Sequence, residues 1–301
     1  MYLNSKIEMH KAGFVNIVGN PNVGKSTLMN ALVGERISII TSKAQTTRHR
    51  ILGIVNGDDF QIVYSDTPGV LKPNYRLQES MRKFSNSALT DADVLLYVTD
   101  VYDAAEKNAD FIEKVNFNPA HLILIINKID LIDQEKLDLL VDKWSQLLPK
   151  AEIFPISALE NFNVIPVFDR IKALLPESPP FFDKDQLTDK PARFFVTEIV
   201  REKILKYYDK EIPYAVEVVV EKFSEEENII RIHAIIHVER ESQKGIIIGH
   251  GGKSLKKVGT EARKDLEVFF EKKIYLELFV KVEKDWRKKD TTLRGFGYSL
   301  D

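Results

Sequence analysis

Gly19-Asn20-Pro21-Asn22-Val23-Gly24-Lys25-Ser26, entered from the apolar run Phe14-Val15-Asn16-Ile17-Val18 and followed by Thr27-Leu28, decides how the first half of the chain folds. A buried strand, a glycine turn and a helix opening at Lys25 make the frame of a phosphate-binding loop. Gly19 and Gly24 let the backbone curl so that successive N–H groups converge as an anion nest, and the helix adds the positive end of its dipole. In such a frame Lys25 reaches the β- and γ-phosphates of a nucleoside triphosphate, and the Ser26 hydroxyl holds Mg2+. The expected nucleotide cradle is therefore Gly19, Asn20, Pro21, Asn22, Val23, Gly24, Lys25, Ser26 and Thr27.

Beyond this helix, residues 35–50 are polar and Thr-rich, and two strand-like runs, 51–55 and 61–64, flank the turn Asn56-Gly57-Asp58 as a hairpin. Apolar runs then alternate with helical patterns. Residues 94–98 lead to a helix near 105–115, and 122–126 lead to one carrying Leu137, Leu140, Val141, Trp144 and Leu148. Residues 152–154 lead to a helix near 164–175. That alternation predicts an α/β domain with a largely parallel sheet covered on both faces, and ligands at the carboxyl ends of its strands.

Three short stretches stand at those ends. Asp66-Thr67-Pro68-Gly69 puts a carboxylate across from the phosphate loop, where Mg2+ needs support, and a glycine whose N–H approaches a γ-phosphate. Asn127-Lys128-Ile129-Asp130 is base-specific. The Asp130 carboxylate accepts from N1–H and the exocyclic amine of guanine, a donor pair adenine lacks. Asn127 ties the base edge to the loop, and the Lys128 stem lies along the ring. Ser157-Ala158-Leu159 fits a tight loop whose N–H groups face the guanine oxygen.

These pieces, in this order, resemble the translation-factor-related GTPases over residues 12–175. The resemblance places Thr46-Thr47-Arg48 in the first switch, where one threonine completes the Mg2+ shell only when GTP is bound; Thr47 is the choice and Thr46 the reserve. Lys25, Thr47, Asp66 and Gly69 are the expected catalytic set, and Ser26, Thr47 and Asp66 the expected Mg2+ set. Ras-like GTPases carry a glutamine directly after the glycine of the second switch. Val70 stands there instead, which predicts slow intrinsic turnover. Asn22 occupies the loop position that coordinates K+ in related potassium-dependent GTPases, so K+ is a further expected cofactor.

Pro176-Glu177-Ser178-Pro179-Pro180 stops the last helix of this region. The expected division is a GTP-binding domain over 1–178, a linker over 179–190 and a second domain over 191–301. In the second domain a helix over 193–206 precedes strands at 214–223 and 229–238. On the latter, Ile230, Ile232, Ala234, Ile236 and Val238 share one face, while Arg231, His233 and His237 share the other, read as solvated or RNA-facing. Next come residues 241–248, the turn Gly249-His250-Gly251-Gly252, and a helix with Leu255, Val258, Ala262, Leu266 and Phe269 on one side. A strand over 274–282 closes the series. This order resembles a type II KH domain with its Gly-x-x-Gly loop. A side-chain-free turn at a helix opening with Lys253 lets a single-stranded RNA backbone approach closely. Ile246 and Ile248 form the expected apolar floor for bases, Lys256 and Lys257 add charge, and Trp286 and Arg287 in the basic tail offer stacking.

Composition fits this picture. Among 301 residues there is no cysteine, which excludes disulfides, Cys-ligated metals and thiol catalysis. No apolar run approaches a membrane span, and the first ten residues lack the core of a signal peptide, so a cytoplasmic protein is expected. The net charge of −2 hides an asymmetry: residues 240–294 hold 15 Lys and Arg against 9 Asp and Glu, which suits a polyanion.

A GTP-binding domain followed by a type II KH domain is similar to the Era family of GTPases, nearly end to end. The resemblance implies an α/β P-loop GTPase domain joined to an α+β KH domain, in a Mg2+-dependent bacterial GTPase. It also implies binding to the 3′ end of 16S ribosomal RNA, assistance to biogenesis of the small ribosomal subunit, a monomer, and peripheral contact with the inner membrane. Two alternatives accompany it. One is a GTPase acting mainly at the membrane or in the cell cycle, for which the basic tail speaks; the other is an RNA-binding scaffold with negligible hydrolysis, for which Val70 speaks.

Overall fold

Continuous apolar strands alternating with one-sided helices build a sheet in the first part of the chain. The computed structural model describes residues 10–70, 73–102 and 109–298. β1 (Lys11–Gly19) leads into α1 (Lys25–Val33), and the hairpin of β2 (Ile51–Asn56) and β3 (Phe60–Asp66) precedes α2 (Arg76–Ser87). β4 (Val94–Asp100), α3 (Ala109–Asn116), β5 (His121–Asn127), α4 (Gln134–Leu147), β6 (Glu152–Pro155) and α5 (Val164–Leu174) follow. Residues 105–108 of the helix expected near 105–115 lie outside the described residues.

The sheet order is β2-β3-β1-β4-β5-β6, and only the β2–β3 pair is antiparallel. β1 therefore has β3 on one side and β4 on the other, the reversal at which a crevice opens at the strand's carboxyl end. α1 starts at Gly24 and stops at Gly34, whose N–H donates to Asn30 O at 2.9 Å; its buried positions are Lys25, Leu28, Met29 and Leu32. A lysine in an otherwise apolar stripe is the anomaly, and it faces the crevice's chemistry rather than the core. α4 is capped by Asp133, which accepts from Lys136 N–H, and buries Trp144 against Tyr97 with ring centroids 5.7 Å apart.

α6 (Ala192–Tyr207), β7 (Glu217–Glu225), β8 (Ile229–Val238), α7 (Glu241–Ile248), α8 (Lys253–Phe270), β9 (Lys273–Val282) and α9 (Asp290–Gly295) complete the described chain. β8 is central, antiparallel to β7 and parallel to β9. Its residues Ile230, Ile232, Ala234, Ile236 and Val238 are buried and share a core with Val258, Ala262 and Leu266 of α8, spaced one helical turn apart.

The chain forms two units whose limits differ from the expected division. Met1–Ser38, Thr47–Leu71 and Met81–Asp189 make the first, and Ile39–Thr46, Lys72–Ser80 and Lys190–Asp301 the second. Residues 179–189, read from their prolines as linker, group with the first unit for a hydrogen-bonding reason. Gln61 accepts from the N–H groups of Phe181 and Phe182 at 2.7 and 3.0 Å and donates to Phe182 O at 2.8 Å, while Ile54 N–H donates to Leu187 O at 2.8 Å. Among the described residues, no helix is long and apolar enough to cross a membrane.

Candidate nucleotide site and nucleic-acid surface

At the carboxyl end of β1 the loop Gly19–Gly24 wraps over the start of α1. Gly24 has φ 97, and a Cβ there would lie 2.1 Å from Asn127 Nδ2, so no other residue fits. Lys25 is buried, with Nζ donating to Asn20 O at 2.7 Å and Gly19 O at 3.1 Å. Its ammonium thus sits at the mouth of the N–H nest. Gly69, after β3, packs so closely on Pro21 that a Cβ would meet its backbone at 2.7 Å. Val70 N–H donates to Gly19 O at 3.1 Å, and its side chain packs on the core of the first unit.

Three oxygen-bearing side chains converge beside this loop. Ser26 Oγ lies 2.7 Å from Asp66 Oδ2, and Thr47 Oγ1 lies 2.9 Å from Ser26 Oγ and 3.3 Å from Asp66 Oδ2. Asp66 is fully buried, and its second oxygen, Oδ1, meets no hydrogen-bond partner among the described residues. Burial pushes the Asp66 carboxyl above its ordinary range, and the Lys25 charge opposes that shift. Hydroxyl and carboxylate oxygens around one orphaned lone pair fit a hard divalent cation such as Mg2+. Of the two switch threonines, Thr47 is the one brought here; the Thr46 hydroxyl turns to Thr41 Oγ1 and Lys43 O, each at 2.6 Å.

The base-reading end is tied to the same loop. Asn127, buried at the end of β5, donates to Val23 O and accepts from Ala158 N–H, both at 2.9 Å. One amide therefore locks the phosphate loop and the 157–159 loop together. Lys128, at φ 63, donates to Asn22 O at 2.6 Å and to Asp100 Oδ2 at 2.5 Å, which lays its stem across the mouth. Asp130 is exposed, Ser157 and Ala158 are buried, and Leu159 is exposed at the rim. Asp100 is a participant that sequence reasoning missed. Its signal was its place, an acidic residue ending β4 as Asp66 ends β3.

In the second unit, the Gly249–Gly252 turn joins α7 to α8 with φ of 70 at Gly249, 57 at Gly251 and 75 at Gly252. Beside it lies a cleft of about 370 Å3 lined by Gly252, Leu255, Lys256, Gly259, Thr260, Arg263, Leu276 and Leu278. Its floor is aliphatic and its rim cationic, the combination that takes splayed bases and their backbone.

Comparison with known proteins meets both halves. Residues 14–128 match the family described as 50S ribosome-binding GTPase, and residues 211–287 match the KH domain family. GTPase Era of Syntrophus aciditrophicus is 48% identical over 294 residues, which cover 97% of this chain and 96% of that protein. The chain belongs to the Era family of GTPases. GTPase Era of Staphylococcus haemolyticus is 43% identical over 97% of this chain and 98% of its own length. Two solved Era structures each give a TM-score of 0.90. One, an Aquifex aeolicus variant bound to GDP·AlF4−, is 39% identical and covers 96% of this chain and 100% of its own. The other, Era in complex with MgGDPNP and nucleotides 1506–1542 of 16S ribosomal RNA, is 40% identical and covers 97% and 100%. The Era-family fold, a P-loop GTPase domain with a C-terminal KH domain, is the one expected, and the chain is a GTPase.

Within this Era-family chain several expected RNA-side residues are placed otherwise. Trp286 is not a stacking platform: it is fully buried, donates Nε1–H to Ala215 O at 3.0 Å and packs edge-on against Phe296. Its loss would cost about 3–5 kcal/mol of core packing. Arg287 is paired with Glu239 and lies over the Tyr75 ring. His237 is buried against Phe296, with ring centroids 5.0 Å apart, so it is neither solvated nor RNA-facing; burial holds its imidazole below the ordinary value. Lys257 lies over the Tyr207 ring at 4.1 Å rather than in the cleft. Ile246 is exposed and Ile248 half-buried, and the apolar floor comes instead from Leu255, Leu276 and Leu278. Lys253 and His250 are exposed beside the turn. Gly259, a glycine within a helix two turns after Gly252, was the available sign of a close approach there.

Proposed function

We propose that the chain is a Mg2+-dependent GTP switch whose second unit binds single-stranded RNA at the 3′ end of 16S ribosomal RNA, in the service of small-subunit assembly. The observation that carries this reading is one chain holding both a guanine-reading nucleotide crevice and a positive-φ glycine turn beside an aliphatic, cation-rimmed cleft. The relative solved with MgGDPNP and 16S ribosomal RNA nucleotides supports it.

In this reading the loop N–H groups and Lys25 hold the β- and γ-phosphates, and Asp130 selects guanine. Ser26, Thr47 and Asp66 hold Mg2+, which supplies charge neutralisation on the phosphate oxygens. Gly69 brings its N–H to the γ-phosphate. Val70 carries no amide to orient the attacking water, so intrinsic hydrolysis is slow. The exposed Asn22, at φ 64, is suited to hold K+, and equal turnover in K+ and Na+ buffers would remove that role. The protein works as a monomer in the cytoplasm. Trp286 is buried and Arg287 paired, so a peripheral inner-membrane contact would rest on the exposed Lys284, Lys288 and Lys289 of the tail.

The test is affinity for a short RNA matching the 16S 3′ end, at fixed salt, with the protein loaded with GDP or with a non-hydrolysable GTP analogue. Tighter binding with the analogue is expected. Equal, sequence-blind binding in both states would reduce the second unit to a docking module.

A further inference from the structure

Alternate residues of β9 fall on opposite faces of the second unit's sheet. Ile274, Leu276, Leu278 and Val280 take the side of the core, which leaves Tyr275, Glu277 and Phe279 on the side turned away from α8. Arg231 of β8 stands opposite Tyr275, His233 opposite Glu277 and Ile235 opposite Phe279, and Lys222 of β7 stands opposite His233. Phe279 is 54% exposed and Tyr275 41%. Two large rings on one strand, about 13 Å apart by strand rise, make a patch rather than a scatter of single apolar residues.

The neighbours of the rings decide what the patch suits. The Arg231 guanidinium lies over the Tyr275 ring, 5.5 Å from its centroid, with Nε 3.0 Å from Glu226 Oε1. Glu277 is occupied locally: it accepts from the Tyr275 hydroxyl at 2.7 Å, and His233 Nδ1 lies 3.3 Å away. Lys222, Lys273 and Lys281 are exposed on the same face. With Arg231 they outnumber the carboxylates there, Glu277 and, at the bulge after Val220, Glu221. Rings for base faces and surplus cations for phosphates are the parts of a single-strand platform, and sheet-type RNA modules stack bases on such a face.

The face also continues the cleft beside the Gly249–Gly252 turn, which Leu276 and Leu278 line from the other side of the same strand. β9 is an outer strand in the order β7-β8-β9, so a chain lying in the cleft has one strand to cross.

We propose that the outer face of this sheet is a second single-stranded nucleic-acid site, where bases stack on Tyr275 and Phe279 while Lys222, Lys273 and Lys281 meet phosphates. The inference rests on the reading of the cleft as an RNA site. It makes the footprint longer than the about four nucleotides that a Gly-x-x-Gly cleft clamps.

The experiment uses the full chain at fixed salt and nucleotide. Affinity is measured for a single strand of about six nucleotides from the 16S 3′ end, and for that strand lengthened by about four adenosines at its 5′ or its 3′ end. An abasic extension of equal length adds the phosphates alone. In the native protein one adenosine extension should bind at least about tenfold tighter than its abasic counterpart, the size of a base–aromatic stack. The double variant Tyr275→Leu, Phe279→Leu keeps the face apolar and removes the rings. It should abolish that gain, with short-strand affinity and melting temperature unchanged, and Tyr275→Phe should keep it. Equal affinity for adenosine and abasic extensions in the native protein overturns the proposal, as does a gain that survives both leucines. Failure of the native protein to hold the short strand overturns the cleft reading itself, and this one with it.

Discussion

The nucleotide crevice and the Gly249–Gly252 turn both set glycines before the N-terminus of a helix, yet they use them in opposite ways. At Gly24 the missing side chain makes room for the protein itself, since a Cβ would strike Asn127 Nδ2 at 2.1 Å, and Asn127 also bonds Val23 and Ala158. At Gly251 and Gly252 nothing lies within 4 Å of where a Cβ would be, and only the positive φ calls for glycine. The first loop is preorganised by its own cross-links and binds a small ligand already shaped for it. The second stays open for a backbone that arrives from outside. Burial follows the same division: Lys25 and Asp66 are enclosed, whereas Lys253 and Lys256 are exposed.

The comparison breaks most visibly if matched substitutions behave alike. Gly24→Ala is expected to lower GTP affinity at least about 100-fold and to destabilise the first unit by about 2–3 kcal/mol. Gly251→Ala should cost about 1 kcal/mol of stability, leave GTP binding untouched and weaken RNA binding about tenfold. Calorimetric unfolding with nucleotide and RNA titrations measures both, and equal stability losses would refute the contrast. Next in size is Asp130→Asn, which should weaken GTP and GDP about 100-fold by leaving guanine's donor pair without its acceptor. Because the amide offers a donor, affinity for xanthosine nucleotides should rise in the same variant, and a uniform loss for both bases would assign Asp130 to loop structure instead.

The smallest effect sharpens the comparison from the second unit's side. Burial, with Lys281 adding to it and Glu283 and Glu221 opposing, holds His237 below its ordinary value of 6.5. As pH falls below that value the unfolded chain takes up the proton before the folded one does. The second unit should therefore lose stability until the folded-state pKa is reached, and change little from this source below it. Melting temperature followed from about pH 7.5 to about pH 5.5 should show that slope, and His237→Leu should flatten it.

What the sequence made legible was local. The strand ends carrying Asp66, Asn127 and Ser157, the glycine turns, and the helical stripe of Val258, Ala262 and Leu266 follow from periodicity and turn chemistry within a few residues. What stayed illegible needed distant partners. Trp286 among Arg287, Lys288 and Lys289 reads as an exposed aromatic, but the turn at Asp285, with φ 55, precedes an indole that finds Ala215 O 71 residues earlier. The lining of the cleft by Leu276 and Leu278 depends on β9 running parallel to β8 beneath α8, which no single stretch announces. The hydrogen bonds from Arg201 to the Gln45 and Thr46 carbonyls span 156 and 155 positions and leave no periodic trace.

β2 is the outer strand of its sheet, and an outer strand offers unpaired backbone groups to any other strand that meets it. Residues 187–189 occupy that seam: Thr188 donates its hydroxyl to Leu52 O at 2.7 Å, and Asp189 Oδ1 takes Leu52 N–H at 2.9 Å. A polypeptide ended at residue 178, where the prolines mark a boundary, would leave the seam open and strip the buried Gln61 Oε1 of its Phe181 and Phe182 N–H partners, keeping only the Gln61 amide bond to Asn56, and it is expected to self-associate edge to edge. One carried eleven residues further, to 189, would seal itself. During synthesis the same rule delays completion of the first unit until that strip has left the ribosome.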